Sequence, residues 1–219
     1  MKLLNLFLFY IFVTLFLNSC TTIQEKKQSN IVNQSEEKMD KLIFVEIPKF
    51  ERNPLLNKDI NPDKNESINP EINNLLNPST NSSINPAENT AVNPMINVEI
   101  HPGVKKEWSY MSNEEINPLV NQNLRPDKND KWNPNSENFE GIYIFDTFHI
   151  VQEIAYKVNE NIYLIFDTSM NFVKVAIDNN NKGFNIFNIQ HHWLGYMIKN
   201  GQGGYVIFNK ENKWTNYAS

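Results

Sequence analysis

The sequence predicts an all-β fold, and two internal repeats are the observations that predict it. The last part of the chain repeats with a period of 21 residues, and every copy carries an Ile-Phe dipeptide followed by Asp or Asn. The middle of the chain places proline at a spacing of eight residues, which excludes a continuous helix or a central strand. The four dipeptides are Ile144-Phe145, Ile165-Phe166, Ile186-Phe187 and Ile207-Phe208.

Each 21-residue copy has the pattern of a β-hairpin. An aromatic or β-branched run leads to Asp146, Asp167, Asn188 or Asn209, then come a polar tip and a second, alternating run. Four hairpins give eight short strands within residues 139–219. Because one hairpin cannot bury its apolar face alone, the copies must pack on one another. Their equal length favours a closed pseudo-fourfold assembly over an open sheet, and closure would also protect the strand edges.

Residues 53–135 form a low-complexity tract with an octad repeat. Asn recurs every four residues from Asn53, Pro recurs every eight from Pro54, and an aliphatic residue often precedes the Asn. Asn-Pro opens turns, because the Asn side chain can bond the backbone two residues on and Pro presets the next φ. The tract is therefore predicted to be a string of turns.

Two structures of the tract fit this pattern. One is a solvated stalk, disordered or turn-rich, which gives the C-terminal domain reach; the other is an ordered spiral with its aliphatic side chains along one side. We expect the stalk, because one small aliphatic per turn buries little area against the entropy cost of ordering the backbone. A binding or antigenic repeat is a third interpretation.

The N-terminus has the organisation of an export signal. Lys2 precedes an apolar run from Leu3 to Leu17, which predicts a signal peptide at 1–19 rather than a permanent membrane span. Residues 20–52 are a polar leader with one predicted short strand at 41–47.

Cys20 is the only cysteine of the chain, so no intramolecular disulfide can form. The tetrapeptide Leu17-Asn18-Ser19-Cys20 resembles the lipobox of bacterial lipoproteins. The resemblance implies that Cys20 carries diacylglycerol and becomes the new N-terminus after cleavage. Two or three acyl chains would then hold the protein on a membrane. The alternative is an ordinary signal peptide with a coincidental cysteine.

The hairpins also resemble a known kind of module. The segments IYIFD, IFDTSMNFVKVAI, FNIFNIQHHWLGYMI and YVIFNKENKWTNYA are similar to the four-fold β-flower modules of bacterial proteins. The resemblance covers about residues 141–219 and implies an architecture without an established activity. Together with the Asn-Pro tract, it is what we expect in a lipoprotein of an AT-rich bacterium.

Aromatic residues of the last two copies are the candidate binding residues. Trp193, Trp214, Tyr196 and Tyr217 could form a platform for a sugar ring or a peptide. The alternative, which we favour for most of them, is that they fill the core of a small domain.

Candidate catalytic and metal-binding residues have simpler interpretations. Asp146 and Asp167 could be paired carboxylates, but Asn188 and Asn209 replace them in the other copies, which indicates turn chemistry. His191 and His192, with His149 at an equivalent tip, are too few for a predicted metal site. The sequence therefore predicts no catalytic residue, no metal and no cofactor.

The expected function is that of a non-enzymatic, lipid-anchored cell-envelope protein, which presents a small β-repeat binding or structural module on a long tether. Its expected partners are the membrane, through lipid on Cys20, and an envelope protein or glycan. The net charge of −5 offers no basic stripe for nucleic acid. Many lipoproteins are retained at the inner membrane by an Asp directly after the modified cysteine. This chain has Thr21 at that position, which favours the outer membrane. The alternative is an envelope hydrolase or hydrolase accessory with its site in the hairpin loops.

Overall fold

The C-terminal part of the chain is a closed barrel of eight antiparallel strands. The computed structural model describes residues 50–219, which belong to one compact unit. The predicted all-β fold, its eight strands and its closure are confirmed. The strands are β1 (Ile142–Asp146), β2 (Val151–Asn159), β3 (Ile162–Asp167), β4 (Phe172–Asp178), β5 (Gly183–Asn188), β6 (Trp193–Lys199), β7 (Tyr205–Asn209) and β8 (Trp214–Ala218).

Every strand pairs with its neighbours along the chain, and β8 closes the sheet on β1. Each of the four hairpins has a register shift between the Ile and the Phe of its dipeptide. Such β-bulges increase the local twist and bend of the strands. The repeated dipeptide therefore marks the place where each hairpin curves.

The interior of the barrel is filled by side chains from all parts of the sheet. All four Ile residues of the dipeptides are buried there, together with Tyr163, Phe184 and Tyr205. The hydroxyls of Tyr163 and Tyr205 lie 3.1 Å apart although β3 and β7 are opposite one another in the barrel. The centre is thus a packed core rather than a pore.

The Phe residues of the same dipeptides are buried on the opposite, outer face of the sheet. Phe145, Phe166, Phe187 and Phe208 are all at most 2% exposed, and none belongs to the interior cluster. The four Ile residues thus share the centre of the barrel, whereas the four Phe residues lie outside it. Side chains alternate between the two faces of a strand, so adjacent Ile and Phe must point apart.

Residues 53–135, which we call the belt, cover that outer face. They form consecutive tight turns, several of which are single 3-10 turns. Together with one turn just before the belt, these are Phe50–Arg52, Lys58–Ile60, Glu66–Ile68, Val98–Ile100, Lys106–Trp108, Glu114–Ile116 and Gln122–Leu124.

Asparagine side chains hold the turns of the belt together. In the first turn, Asn53 Oδ1 accepts a hydrogen bond from the N–H of Leu55 at 3.0 Å, as the Asn-Pro pattern indicates. The Nδ2 group of most Asn residues donates to a carbonyl six or seven residues earlier. Asn61, for example, donates to the Pro54 carbonyl at 2.8 Å. Most of these Asn residues therefore cap their own turn and tie it to an earlier one.

The octad gives the belt one apolar face. The prolines and the aliphatic residue two positions before each of them are mostly buried, as at Ile68, Val92 and Ile100. The two residues after each proline are exposed, as at Met95 and Ile96. Two side chains per octad therefore pack on the barrel, one of which is a proline.

The belt makes about one circuit of the barrel. Its contacts run from Arg52 at β1, through Leu76 at β6 and β7, Val92 at β5 and Leu124 at β2, to Pro134, which again lies at β1. The ordered spiral is thus the structure of this tract, and the expected solvated stalk is corrected. The stalk was expected because one aliphatic side chain per turn buries little apolar area. The prolines add to that buried area, and the apolar outer face of the barrel provides the surface on which they pack.

Three predictions concern residues outside the described part of the chain. They are the signal peptide at 1–19, the lipidation of Cys20 and the short strand at 41–47. Within residues 50–219, no helix is long and apolar enough to cross a bilayer.

Candidate functional site at the hairpin tips

The four hairpin tips lie at one end of the barrel and share one backbone geometry. Asp146 Oδ1 accepts hydrogen bonds from the N–H groups of Phe148 and Ile150, at 2.9 and 3.0 Å. Asp167, Asn188 and Asn209 make the same pair of bonds. The third residue of each tip has a left-handed backbone, with φ of 66° at His149, 62° at Met170, 62° at His191 and 63° at Asn212. Turn formation thus explains the two aspartates.

The tips fasten the belt to the barrel. His149 Nδ1 lies 2.8 Å from the hydroxyl of Tyr217, and its Nε2 lies 3.0 Å from Asp63 Oδ2 in the belt. One copy earlier, the Tyr196 hydroxyl donates to Asn212 Oδ1 at 2.8 Å.

Asn212 Nδ2 completes this second chain by donating to Asn85 Oδ1 in the belt, at 2.9 Å. Both chains therefore run from a barrel Tyr through a tip side chain to the belt. An Asp-His-Tyr chain can relay protons in an enzyme, but the Asn-Asn-Tyr chain at the equivalent place cannot. The shared property is attachment of the belt.

A third tip meets the belt through aromatic and imidazole rings. The rings of His191 and Tyr110 meet edge to face, with centroids 5.6 Å apart, and the Tyr110 hydroxyl donates to the Ile189 carbonyl. His101 packs edge to face on Phe187, with centroids 5.0 Å apart. Its Nδ1 accepts a hydrogen bond from the Gly103 N–H at 3.0 Å, which is the bond that an Asn side chain makes elsewhere in the belt.

Burial lowers the pKa of both histidines. For His101 the loss of hydration is opposed by a hydrogen bond to the His191 backbone, and for His191 it is reinforced by the charge of His101. Both imidazoles are thus neutral when the belt is closed at neutral pH. Tyr110, the other titratable side chain here, has a raised pKa because it is buried.

We expect the belt to loosen in acid. The unfolded chain binds protons at these histidines from pH 6.5 downward, before the folded chain does, so stability falls as pH decreases through that value and is unaffected above it. Urea unfolding between pH 7.5 and pH 5 should show a smaller loss for the double variant His101→Asn/His191→Asn than for the wild type. Asn fits both positions, since it occupies the octad register and the equivalent tip at Asn212.

His192→Asn is the matched control for this acid dependence, because His192 is exposed beside His191. It should keep the dependence of the wild type. An unchanged dependence of stability on pH in the double variant would show that the two half-buried histidines are not the groups responsible.

The predicted aromatic platform is divided by the fold. Tyr196 and Tyr217 are buried and stack on Phe208 and Phe145, with centroids 5.4 and 5.2 Å apart. Their assignment to a binding platform is therefore corrected, because the belt covers the strand face on which they lie.

Trp193 and Trp214 are half-buried at the edge of the same face. Their indole N–H groups donate to the carbonyls of Gly195 and Asn216, at 2.6 and 2.9 Å. Only part of each indole is thus available to a ligand.

The structure adds an exposed apolar pair that the sequence patterns above did not indicate. Phe148 and Ile150 at the first tip are 78% and 59% exposed. The other three tips make the same turn with the polar pairs Ser169 and Asn171, Gln190 and His192, and Glu211 and Lys213. Folding of the turn therefore does not require apolar side chains here. Alignment of the four copies was the signal that could have found them.

Comparisons with protein-family models, with characterised proteins and with solved structures gave no match. The site must therefore be interpreted from its own geometry. Among the described residues, no three His, Cys, Asp or Glu side chains form a group that could hold a metal ion. The tips offer a surface of hydrogen-bonded turns with one apolar loop, which suits binding of another molecule.

Proposed function

We propose that this chain is a non-enzymatic, lipid-anchored protein of a bacterial cell envelope, and that its belted barrel is a binding or structural module. The observation that carries the proposal is the sequence Leu17-Asn18-Ser19-Cys20, which begins at the last residue of the apolar run and contains the only cysteine. The acyl chains of a diacylglycerol joined to the Cys20 sulfur by a thioether, and an acyl chain on its amine, would contribute about 0.8 kcal/mol of membrane affinity per buried methylene.

We also infer that the four hairpins are arranged with pseudo-fourfold symmetry. Their equal length, the four bulges between Ile and Phe, and the left-handed residue at every tip support this arrangement. The symmetry is confined to the barrel, because the eight-residue repeat of the belt and the 21-residue repeat of the hairpins have different periods. Each tip consequently meets a different part of the belt, and the four tips are free to differ in function.

The module sits closer to its anchor than a stalk of residues 53–135 would place it. Because the belt is wrapped around the barrel, only the chain from Cys20 to Phe50 separates the lipid from the described domain. Even fully extended, that length spans at most about 100 Å. In a bacterium with two membranes we place the anchor in the outer one, since Thr21 follows the modified cysteine.

The surface that we assign to partners is the end of the barrel that carries the tips. Phe148 and Ile150 supply exposed apolar area, and the exposed parts of Trp193 and Trp214 add aromatic edges. A protein or glycan of the envelope is the expected partner. Catalysis by the loops finds no support in Asp146 and Asp167, whose Oδ1 atoms accept turn hydrogen bonds.

Replacing Cys20 with Ala should release the protein from the membrane. We expect the wild type to incorporate labelled palmitate and to remain with membranes after a carbonate wash, whereas Cys20→Ala incorporates none and fractionates with soluble protein. Thr21→Ser is the control and should behave as the wild type. Incorporation of labelled palmitate by Cys20→Ala, or its absence from the wild type, would contradict the proposed anchor.

A further inference from the structure

The belt and the barrel form a groove at the end of the barrel opposite the hairpin tips. The groove has a volume of about 390 Å³, which is in the range of small-ligand sites. Its aliphatic lining consists of Leu75, Leu76 and Ile84 from the belt and Ile198 from β6. Lys182 and Lys199 line it as well, and we call it the lysine groove.

Lys199, the last residue of β6, lies opposite Lys182, the last loop residue before β5. The N–H of Lys199 donates to the carbonyl of Lys182 at 3.3 Å. Like charges opposite each other destabilise an antiparallel pair. In the preceding copy the corresponding hydrogen bond joins Asp178 to Asn161, so the sheet does not require two cations at this place.

No described carboxylate neutralises the pair. Within residues 50–219, neither ammonium group has an acidic partner within 4.0 Å. Glu160 is close enough to Lys199 for that charge to contribute to its lowered pKa, but the larger causes are its hydrogen bond to Lys157 and the charge of Lys157. The lysine groove thus carries two positive charges on a protein whose net charge is −5.

Lys182 occupies a backbone conformation that favours glycine. Its φ is 61°, and the equivalent residue one copy later is Gly203, with φ of 88°. Both loops have the same hydrogen bonds, since Asn179 and Asn200 each accept from the N–H groups two and four residues on. A lysine in the left-handed region is strained, and strained residues are concentrated at functional sites.

The belt fixes the loop that displays Lys182. Asn181 Nδ2 donates to the Ser83 carbonyl at 2.7 Å, which joins the loop between β4 and β5 to the wall of the groove. The amides of Asn73, Asn81 and Asn200 also line the groove. Asn73 and Asn81 each donate one Nδ2 hydrogen to a belt carbonyl, so the second hydrogen of each amide can donate to a hydroxyl, while the aliphatic lining suits the C–H face of a ring.

We propose that the lysine groove binds an anionic glycan, a sugar chain that carries carboxylate or phosphate groups. The two ammonium groups would meet the acidic substituent, and the amides and aliphatic side chains would meet the sugar. An extended acidic peptide is disfavoured as the ligand. Extended peptides commonly bind by adding to a free strand edge, and this barrel has no free edge because β8 pairs with β1. The ligand class rests on the proposed envelope location, but binding itself does not depend on the lipid anchor.

Calorimetric titration of the full chain in detergent at low salt tests the proposal. We expect trigalacturonate to bind, neutral maltotriose not to bind, and the affinity for trigalacturonate to fall as salt rises. Inorganic phosphate should bind at least about tenfold more weakly, because it contacts only the cations. Equal binding of maltotriose, tight binding of free phosphate, or no binding of trigalacturonate would each overturn the assignment.

Lys182→Gly is the decisive variant, because the equivalent position already holds Gly203 and the fold accommodates it. It should weaken trigalacturonate binding at least about tenfold, while the melting temperature stays the same or rises as the left-handed strain is removed. Lys213→Gln removes one exposed lysine at the opposite end of the barrel and should leave the affinity unchanged. Equal losses in the two variants would indicate a general charge effect and reject the groove.

Discussion

Ile100→Ala should destabilise the folded protein by about 3 kcal/mol, although Ile100 belongs to the Asn-Pro tract. Its side chain is 0% exposed and lies in the cluster that joins the belt to the outer face of the barrel, with Tyr110 and Phe187. Truncation to Ala removes three carbon atoms from that contact and leaves a cavity between two elements that are far apart in the sequence. Urea unfolding followed by circular dichroism measures the loss.

Ile96→Ala is the matched control for this prediction. Ile96 is four residues earlier in the same tract and is 60% exposed, so its truncation should change the free energy of unfolding by no more than about 0.5 kcal/mol. A solvated stalk would make both substitutions silent. If Ile100→Ala unfolds at the same urea concentration as Ile96→Ala, the belt does not contribute to the stability of the barrel.

The barrel was predictable because its repeats agree with one another at every level. The Ile-Phe dipeptides, the Asp or Asn after them and the equal spacing all indicate hairpins that must pack together. The same strands also carried a sign of the belt. Runs such as IYLIF at 162–166 are apolar on both faces, which is typical of strands covered on both sides. Eight strands can cover only the inner side of their own sheet, so a second layer was needed to cover Phe145 and its copies.

The order of the belt was harder to predict because its buried face is defined by position and not by composition. Ile96 and Ile100 are the same residue type, and each precedes an Asn or His of the four-residue register. What distinguishes them is the distance to the next proline, since the buried one stands two residues before Pro102. When the tract is aligned with a period of eight, Ile96 and Ile100 fall at different positions of the repeat. When it is aligned with a period of four, they fall at the same position, and the difference in burial cannot be seen.

The site residues were predictable only in part for a related reason. The turn roles of Asp146 and Asp167 follow from their Asn replacements in the other copies. Burial of Tyr196 and Tyr217 depends on the belt and could not be derived from the hairpins alone. The exposed Phe148 and the cation Lys182 both stand out as exceptions within their sets of equivalent positions. Departure from the repeat is therefore the most informative sequence signal for function in this chain.

Gly195→Ala should be among the most disruptive single substitutions in the barrel, with a loss of about 3 kcal/mol. An added Cβ would lie 2.1 Å from the Phe208 carbonyl oxygen and 2.9 Å from the Asn209 Cα, so the clash is with backbone of β7 rather than with a mobile side chain. Relief requires β6 and β7 to separate. The equivalent positions hold Glu153, Lys174 and Asn216, so the close approach is specific to the third copy.

Gly203→Ala separates this steric effect from backbone conformation. Gly203 has φ of 88°, and no atom lies within 4 Å of the place that an added methyl group would occupy. Ala there is therefore strained but not crowded, at a cost of about 1 kcal/mol. Both variants gain the same restriction of the unfolded chain, which cancels when their urea midpoints are compared. Equal losses of stability in the two variants would show that the added methyl group at position 195 costs no more than an uncrowded one in a left-handed turn. Close contact between β6 and β7 would then not be the reason for glycine at position 195.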